Sequence, residues 1–531
     1  MSLMMGASFE VQSVEKNIFR VGAVGQIHSL DPALISNHAE REILRQAHES
    51  LLRRNPETGE IEAFAAQSYR MSEDGMTYTF VMRNDLFWSD GRPIAAQDYA
   101  YALKRLLQPT TKSSFAAHFS SIKGAEKLLE GAFVSSDDLG IQSAAGTLVL
   151  TLTYPDPFFL HWLTYPETAA VDEKSLTIDK KWIFSGAYTI ETKSPDMYVL
   201  HKNPHHRNAR SIDVDEIDYH LYPTIGDGVS AFHARKIDVI GSQAHPVPYD
   251  HLSMYGGTDN VRFAPDLKTY FLRMNEKHLV MSQSEFRKAI AMSIDRDNLY
   301  EKVSFAGERQ AYSLMPDQLG PYKAPHGYYY SLFGAKESLS NLGYCVPHKS
   351  SKSDESATQD PCLELPKLTM LYPEGYEYRK IALALTVLLK QNLGLEIFPR
   401  ATSEKQFLKL INKGSYMMAL DEVAASPEFP YGILESFRSQ KGSAGSFESK
   451  EYDDLLNQAQ AAISMEKANV IYHQAESFLL TEIIAIPLLF DSTSLLISPM
   501  VKNYALSPWD LQFFQSISIS RPKKNHVVSG S

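Results

Sequence analysis

The chain has 531 residues, 44% hydrophobic and 22% charged, with a formal net charge of −11. Those proportions set aside disordered and fibrous classes, and the length exceeds the ~250–300 residues that a single hydrophobic core serves, so two or three packed units are expected. The excess of acid gives no basic footprint for neutralising phosphates, which excludes nucleic acid and anionic membrane surface as expected partners.

Residues 1–8 lack a basic start followed by an apolar core, so no export signal stands in the sequence as given; either the protein is cytoplasmic or a leader was trimmed, and the Met-Ser-Leu opening favours trimming. Alternating apolar patterns predict strands over 18–24, 78–82, 147–152, 198–201 and 368–372. Apolar residues recurring at three and four predict helices over 96–107, 285–292, 378–393, 405–411 and 467–480. Asp90-Gly91 is a turn signal ahead of the first of these helices. Asn203-Pro204 is another, and the His205-His206-Arg207 that follows is expected to be exposed surface and not a set of ligands or bases. With no fixed repeat period, mixed strands and helices argue for α/β or α+β lobes over a solenoid. The longest apolar runs, 381–389 and 483–490, fall short of the ~20 residues of a membrane span, and Pro487 interrupts the second. The last eleven residues are expected to fray.

The two cysteines, Cys345 and Cys362, flank a polar stretch, 350–361, that reads as a surface loop. A bridge between them would close a loop of about 18 residues and add roughly 3 kcal/mol in the chain-entropy model, in keeping with an oxidising compartment; two free thiols are the alternative. His348 alone does not make a metal site of them. No G-x-S-x-G, H-E-x-x-H, P-loop or G-x-G-x-x-G pattern occurs, so the sequence indicates no catalytic constellation, cofactor or metal.

The segment Phe87-Trp88-Ser89-Asp90-Gly91-Arg92-Pro93-Ile94-Ala95-Ala96-Gln97-Asp98-Tyr99 reads as a strand end, a turn and a helix start. It resembles the signature of the family-5 solute-binding proteins, which feed peptides, and in some branches nickel or other solutes, to ABC importers. Further segments resemble the family in the same order: Ser29-Leu30-Asp31-Pro32, Asp74-Gly75-Met76-Thr77-Tyr78-Thr79-Phe80 with 59–68 before it, and Ser185-Gly186-Ala187-Tyr188. After them come His201-Lys202-Asn203-Pro204, Arg235-Lys236-Ile237-Asp238-Val239, Phe286-Arg287-Lys288-Ala289-Ile290 with Ser293-Ile294-Asp295-Arg296, and 335–344. The likeness thus runs from about residue 18 to residue 510.

This resemblance implies an α/β, two-lobed periplasmic-binding-protein fold with a cleft, a hinge and an extra accessory domain. Lobe I would comprise 9–52, 174–270 and 488–531, the accessory domain 53–173, and the second lobe 271–487. Thr269-Tyr270-Phe271 and Ile486-Pro487-Leu488 would cross between the lobes. It also implies a non-enzymatic, monomeric receptor in the periplasm or otherwise outside the cytoplasm, lipid-anchored in some branches. Such a receptor captures a peptide ligand by hinge closure and passes it to the membrane subunits of an ABC permease, without a cofactor.

By position, Ser36, Asn37 and His38 match a loop that contacts the ligand main chain, and Phe115 an aromatic position of the accessory domain. Tyr270 and Phe271 fall in the hinge and Tyr378 at a polar position near the ligand's far end. Ala419, Leu420, Asp421, Glu422, Val423, Ala424 and Ser426 match the strand and loop that pair with a peptide. Here the sequence departs from the better-known oligopeptide members: Ser426 stands where they have an Asp that pairs the α-ammonium, Leu420 where they have an Arg, and Val423 where they have a Trp. Asp421, Glu422 or Glu428 could take over the amine, although adjacent strand residues alternate in direction and only one of Asp421 and Glu422 could face the cleft; solvent-facing acids are the other reading. A neutral cleft around Ser426 would favour a different solute, such as a modified or cell-wall peptide, a metal chelate or haem. A hydrolase with paired carboxylates and a chaperone-like surface binder are more distant alternatives.

Overall fold

The computed structural model describes residues 16–177, 182–255, 258–304, 307–316, 319–346, 362–425, 429, 431–439, 447–509 and 511–520. The predicted strands and helices are present with ends displaced by one or two residues; the helix Tyr376–Leu393, for example, begins after Gly375 and stops at Gly394.

The strand Ile18–Val24 is buried at Phe19 and Val21 and pairs in parallel with Glu216–Tyr222 on one side and Val239–Ile240 on the other. The hairpin Tyr188–Ser194 and Met197–Lys202 extends this sheet antiparallel to Glu216–Tyr222. On the far side, Val239–Ile240 pairs with the long strand Ala485–Ile497, and that strand with the similarly long Val261–Met274. Met418–Ala424 follows antiparallel, then Leu368–Pro373 and Ile397–Thr402 in parallel, so that one path of hydrogen bonds crosses both lobes.

Sequence periodicity alone does not reveal the two long strands, because each changes environment along its length. The first half of Val261–Met274 pairs opposite Ser492–Leu496, and its second half packs Leu272 and Met274 into a core with Phe286, Ile290 and Leu385. Between Pro265 and Thr269 the register against Ala485–Ile497 slips, and it slips again between Tyr270 and Phe271. Pro265 has no N–H to give to a ladder, and irregular pairing bends a strand and increases its twist. The lobes therefore join through a pair of strands whose pairing is broken where they cross.

A second sheet, Ala66–Met71, Thr77–Met82, Thr147–Thr151 and Ile141–Ala144, is antiparallel and lies within 53–173. Trp88, Ile94 and Tyr99 of the signature segment are buried in its core. The Asp98 carboxylate accepts the Ala95 N–H at the start of the helix Ala96–Leu106, and Gly91 turns the chain at φ +86°, in the left-handed region that glycine enters without strain. The Tyr99 hydroxyl donates to the Glu49 carbonyl and ties this unit to the segment that follows the helix His38–Ala47.

His206 is not surface, contrary to the expectation for 205–207. It is buried with its Nε2 2.8 Å from Glu49 Oε1, and Arg207 pairs with the other oxygen of the same carboxylate, while His205 is exposed. A buried carboxylate is stable only with partners of this kind, and the Asn203-Pro204 turn delivers both of them. Cys345 and Cys362 are joined in a disulfide with their Cα atoms 5.2 Å apart. Among the described residues no helix is long and apolar enough to cross a membrane.

Candidate functional site

In an open sheet with parallel strands, the carboxyl ends of the strands leave a crevice where the strand order reverses. The segment after Val239–Ile240, with Gln243 and Ala244, and the end of Met418–Ala424 border such a crevice, a cavity of about 460 Å³ between the lobes.

One wall is the helix His38–Ala47, which presents His38, Arg41 and Arg45 at spacings of three and four, and hence on one face. The start of that helix is held from within. Asn37 Oδ1 accepts the Glu40 N–H, and the buried Glu40 carboxylate accepts from the N–H groups of His28, Ser29 and Ser36 and from Ser36 Oγ. Ser36 and Asn37 thus shape the loop, and His38 is the member of the trio that reaches the cavity. The opposite wall is Ala424 and Ala425.

Asp266 and Lys268 of one long strand and Asp491 and Ser492 of the other form the floor, at the slipped register. Lys268 Nζ lies 2.5 Å from Asp491 Oδ2 and 3.6 Å from Glu422 Oε2. Burial alone would depress the lysine, but Asp491, the Tyr270 hydroxyl and Glu422 together hold it well above its ordinary value. Burial raises the Asp491 carboxyl, with Lys268 pulling the other way. Tyr378 packs edge-to-face on Tyr270 at 5.7 Å, and burial followed by the Glu422 charge pushes its hydroxyl up.

The residues expected from position spread over several environments. Ala419 and Leu420 are fully buried in two separate cores, and Phe271 and Val423 join a third. Asp421 pairs with Arg273 at 2.9 Å, whereas the Glu422 carboxylate lies 3.6 Å from Lys268; both residues also line a separate cavity of about 260 Å³. The acids on the cleft floor are therefore Asp266 and Asp491. Ser426 and Glu428 lie outside the described residues. Phe115 is buried among Trp162, Tyr165 and His118, and the accessory side chain on the cleft is Tyr165, which Phe115 supports at 5.4 Å.

Arg41, Arg45, Asp266, Lys268, Asp491 and Trp509 were not legible as site residues. The spacing of His38, Arg41 and Arg45 on one helix was an available signal; the acids came together only through the pairing of strands more than two hundred residues apart. Arg41 also pairs with the buried Glu167 of the accessory domain at 2.7 Å, which fixes one side of the cleft.

A family model described as bacterial extracellular solute-binding proteins, family 5 Middle, matches residues 60–445. The chain is similar to the oligopeptide-binding protein OppA of Bacillus subtilis (strain 168), 25% identical over 474 residues that cover 87% of this chain and 85% of that one. It is also similar to the periplasmic murein peptide-binding protein MppA of Escherichia coli (strain K12), 26% identical over 513 residues, 92% of this chain and 91% of the other. Among solved structures it matches the unliganded open form of MppA, a periplasmic murein tripeptide binding protein, with a TM-score of 0.78 at 25% identity, over 95% of this chain and 98% of that one. With two lobes joined by a pair of strands, a charged crevice between them and a family match over most of its length, the chain belongs to the bacterial extracellular solute-binding proteins, family 5.

Proposed function

We propose that this protein is an extracytoplasmic receptor that captures short peptides between its lobes by hinge closure and delivers them to an ABC permease. One observation carries the reading: the cleft is lined by charges of both signs, Arg41, Arg45 and Lys268 with Asp266 and Asp491, some of them already paired with protein groups, a mixed lining that suits a zwitterion better than a neutral or singly charged solute. An extended ligand gains main-chain hydrogen bonds whatever its side chains, and its closure energy comes from touching two surfaces otherwise apart. The names of the two relatives, an oligopeptide-binding and a murein peptide-binding protein, support the same cargo class.

The working unit we propose is a non-enzymatic monomer without cofactor, divided into lobe I (9–52, 174–270 and 488–531), an accessory domain (53–173) and lobe III (271–487). A cell-wall peptide is the second reading, favoured by the likeness to the murein tripeptide binding protein across the whole fold. Calorimetric titration with trialanine, its N-acetyl form, its C-terminal amide and a murein tripeptide tests both. Binding of free trialanine, weakened by blocking either end, is the expected result. Binding of the murein tripeptide alone moves the cargo to cell-wall peptides, and binding of neither removes the peptide reading.

A further inference from the structure

Beside the cleft lies a second chamber of about 400 Å³ where the accessory domain meets lobe III. Tyr69, Tyr78 and Phe158 come from the accessory domain, Leu319 and Tyr431 from lobe III, and Trp509 from the C-terminal segment. A narrow space of about 10 Å³, lined by Arg45, Arg54, Tyr165 and Trp509, separates it from the cleft, which Arg45, Tyr165 and Trp509 also line. The two bodies touch closely here: a Cβ on Gly59 would stand 3.0 Å from the Gly320 backbone and 2.9 Å from Trp509 Nε1.

The one cationic side chain among the described residues lining this chamber is Arg54. Its guanidinium lies 3.9 Å over the Trp509 ring, donates through Nη1 to the Gly59 carbonyl, and sits with Nη2 2.6 Å from His161 Nδ1. Arginine has five N–H donors and no acceptor, so His161 Nδ1 carries the lone pair in this contact and three of the five donors are left over. Among the described residues no carboxylate pairs with Arg54. Glu60 and Glu466 also line the chamber, but both are exposed to solvent. Burial pushes the guanidinium down to about 10, with the hydroxyls of Tyr165 and Tyr431 acting in the opposite sense, so it is charged at neutral pH. A buried cation is costly unless an anion faces it.

We propose that this chamber is a second binding site, for a carboxylate carried on an apolar body, and that Arg54 is the counter-ion of the carboxylate. A volume of this size falls within the ~300–1,000 Å³ of small-molecule sites, and aromatic walls with one convergent polar group are their usual composition. One uncompensated charge calls for a monoanion, and the aromatic lining for a hydrocarbon or aryl remainder. Such chemistry has two sources: a free amphiphilic acid, or the C-terminal residue of a peptide that reaches past Tyr165 and Trp509 from the cleft. This site goes beyond the peptide reading, and trialanine serves as the separate reporter of the cleft.

The test is calorimetric titration of the whole protein with decanoate, methyl decanoate, Ala-Ala-Phe and its C-terminal amide, on wild type, Arg54→Met and Arg54→Lys. We expect the wild type to bind decanoate at least about tenfold more tightly than its methyl ester, Arg54→Met to lose that preference and Arg54→Lys to retain part of it, with trialanine affinity unchanged throughout. If decanoate does not bind but Ala-Ala-Phe is preferred over its amide in an Arg54-dependent way, the site stands and its source is the peptide C-terminus. Equal binding of acid and ester forms by the wild type overturns the proposal without recourse to any variant. So does a preference for the acid that Arg54→Met leaves intact, or the absence of both decanoate and Ala-Ala-Phe binding. Failure of trialanine to bind counts against the peptide reading and leaves this site to be judged on the decanoate arm.

Discussion

Replacing Lys268 by Met tests whether the floor of the cleft is held by charge. Lys268 sits between Asp491 and Glu422, with 26% of its side chain exposed and 17% of that of Asp491. Removing one partner from a fully buried pair costs ~3–5 kcal/mol, and exposed pairs contribute ~0–1, so a part-exposed pair of this kind should cost about 2 kcal/mol. The loss falls on a strand that both lobes share. Urea unfolding followed by far-UV circular dichroism measures it, and a double-mutant cycle with Asp491→Asn isolates the pair: the double variant should recover more than half of the deficit, because no unpaired carboxylate is left. Without the lysine, the Asp491 carboxyl rises further above its unfolded value, so the folded variant binds a proton more readily than the unfolded chain. Its deficit should then shrink as pH falls and grow as pH rises. A Lys268→Met protein within 0.5 kcal/mol of wild type at neutral pH, or a double variant no better than the single, would refute the reasoning.

Glu476 is fully buried and accepts from the N–H groups of Leu314 and Met315 and from the Tyr322 hydroxyl; burial raises its carboxyl to about 7 from 4.5. A folded pKa above the unfolded one gives stability that is complete below pH 4.5 and lost as pH rises towards 7, by at most about 3 kcal/mol. Glu476→Gln keeps an acceptor oxygen without that titration, so melting temperatures measured from pH 4 to 8 should fall for the wild type relative to the variant; parallel curves would sink this assignment. Reduction of Cys345–Cys362, or the double Ser variant, should lower stability by about 3 kcal/mol through the freed chain, read as a lower urea midpoint, and no change would contradict the chain-entropy account of the bridge. Gly186→Ala would bring a Cβ to 2.5 Å from the Ala47 carbonyl carbon, so its melting temperature should drop by several degrees, with unaltered melting contradicting the packing of the loop on the helix His38–Ala47.

Much of the fold was legible because local chemistry wrote it. Alternation at 18–24 and 147–152, the three–four spacing at 378–393, and the Asp90-Gly91 turn ahead of a helix each act over a few residues, and the structure keeps them. The family likeness came from the same local record, since Trp88, Ile94 and Tyr99 of the signature segment are buried core positions. His206 shows the limit of that record: its turn was visible, but not the buried Glu49 that waits for it 157 residues earlier in the chain.

The cleft belongs to the part that only tertiary structure decided. Asp421 and Glu422 look equivalent in sequence, yet one is spent on Arg273 and the other faces Lys268, because neighbouring strand residues point to opposite sides and the partners arrive from Val261–Met274. The charges that line the crevice sit beside the register slip between Val261–Met274 and Ala485–Ile497, and Arg54 lines its chamber where Gly59 closely approaches Gly320. Periodicity reports which face of an element is apolar and where it ends; which face meets which, across hundreds of residues, is set by the packing of whole lobes, and the sites of this protein lie at those meetings.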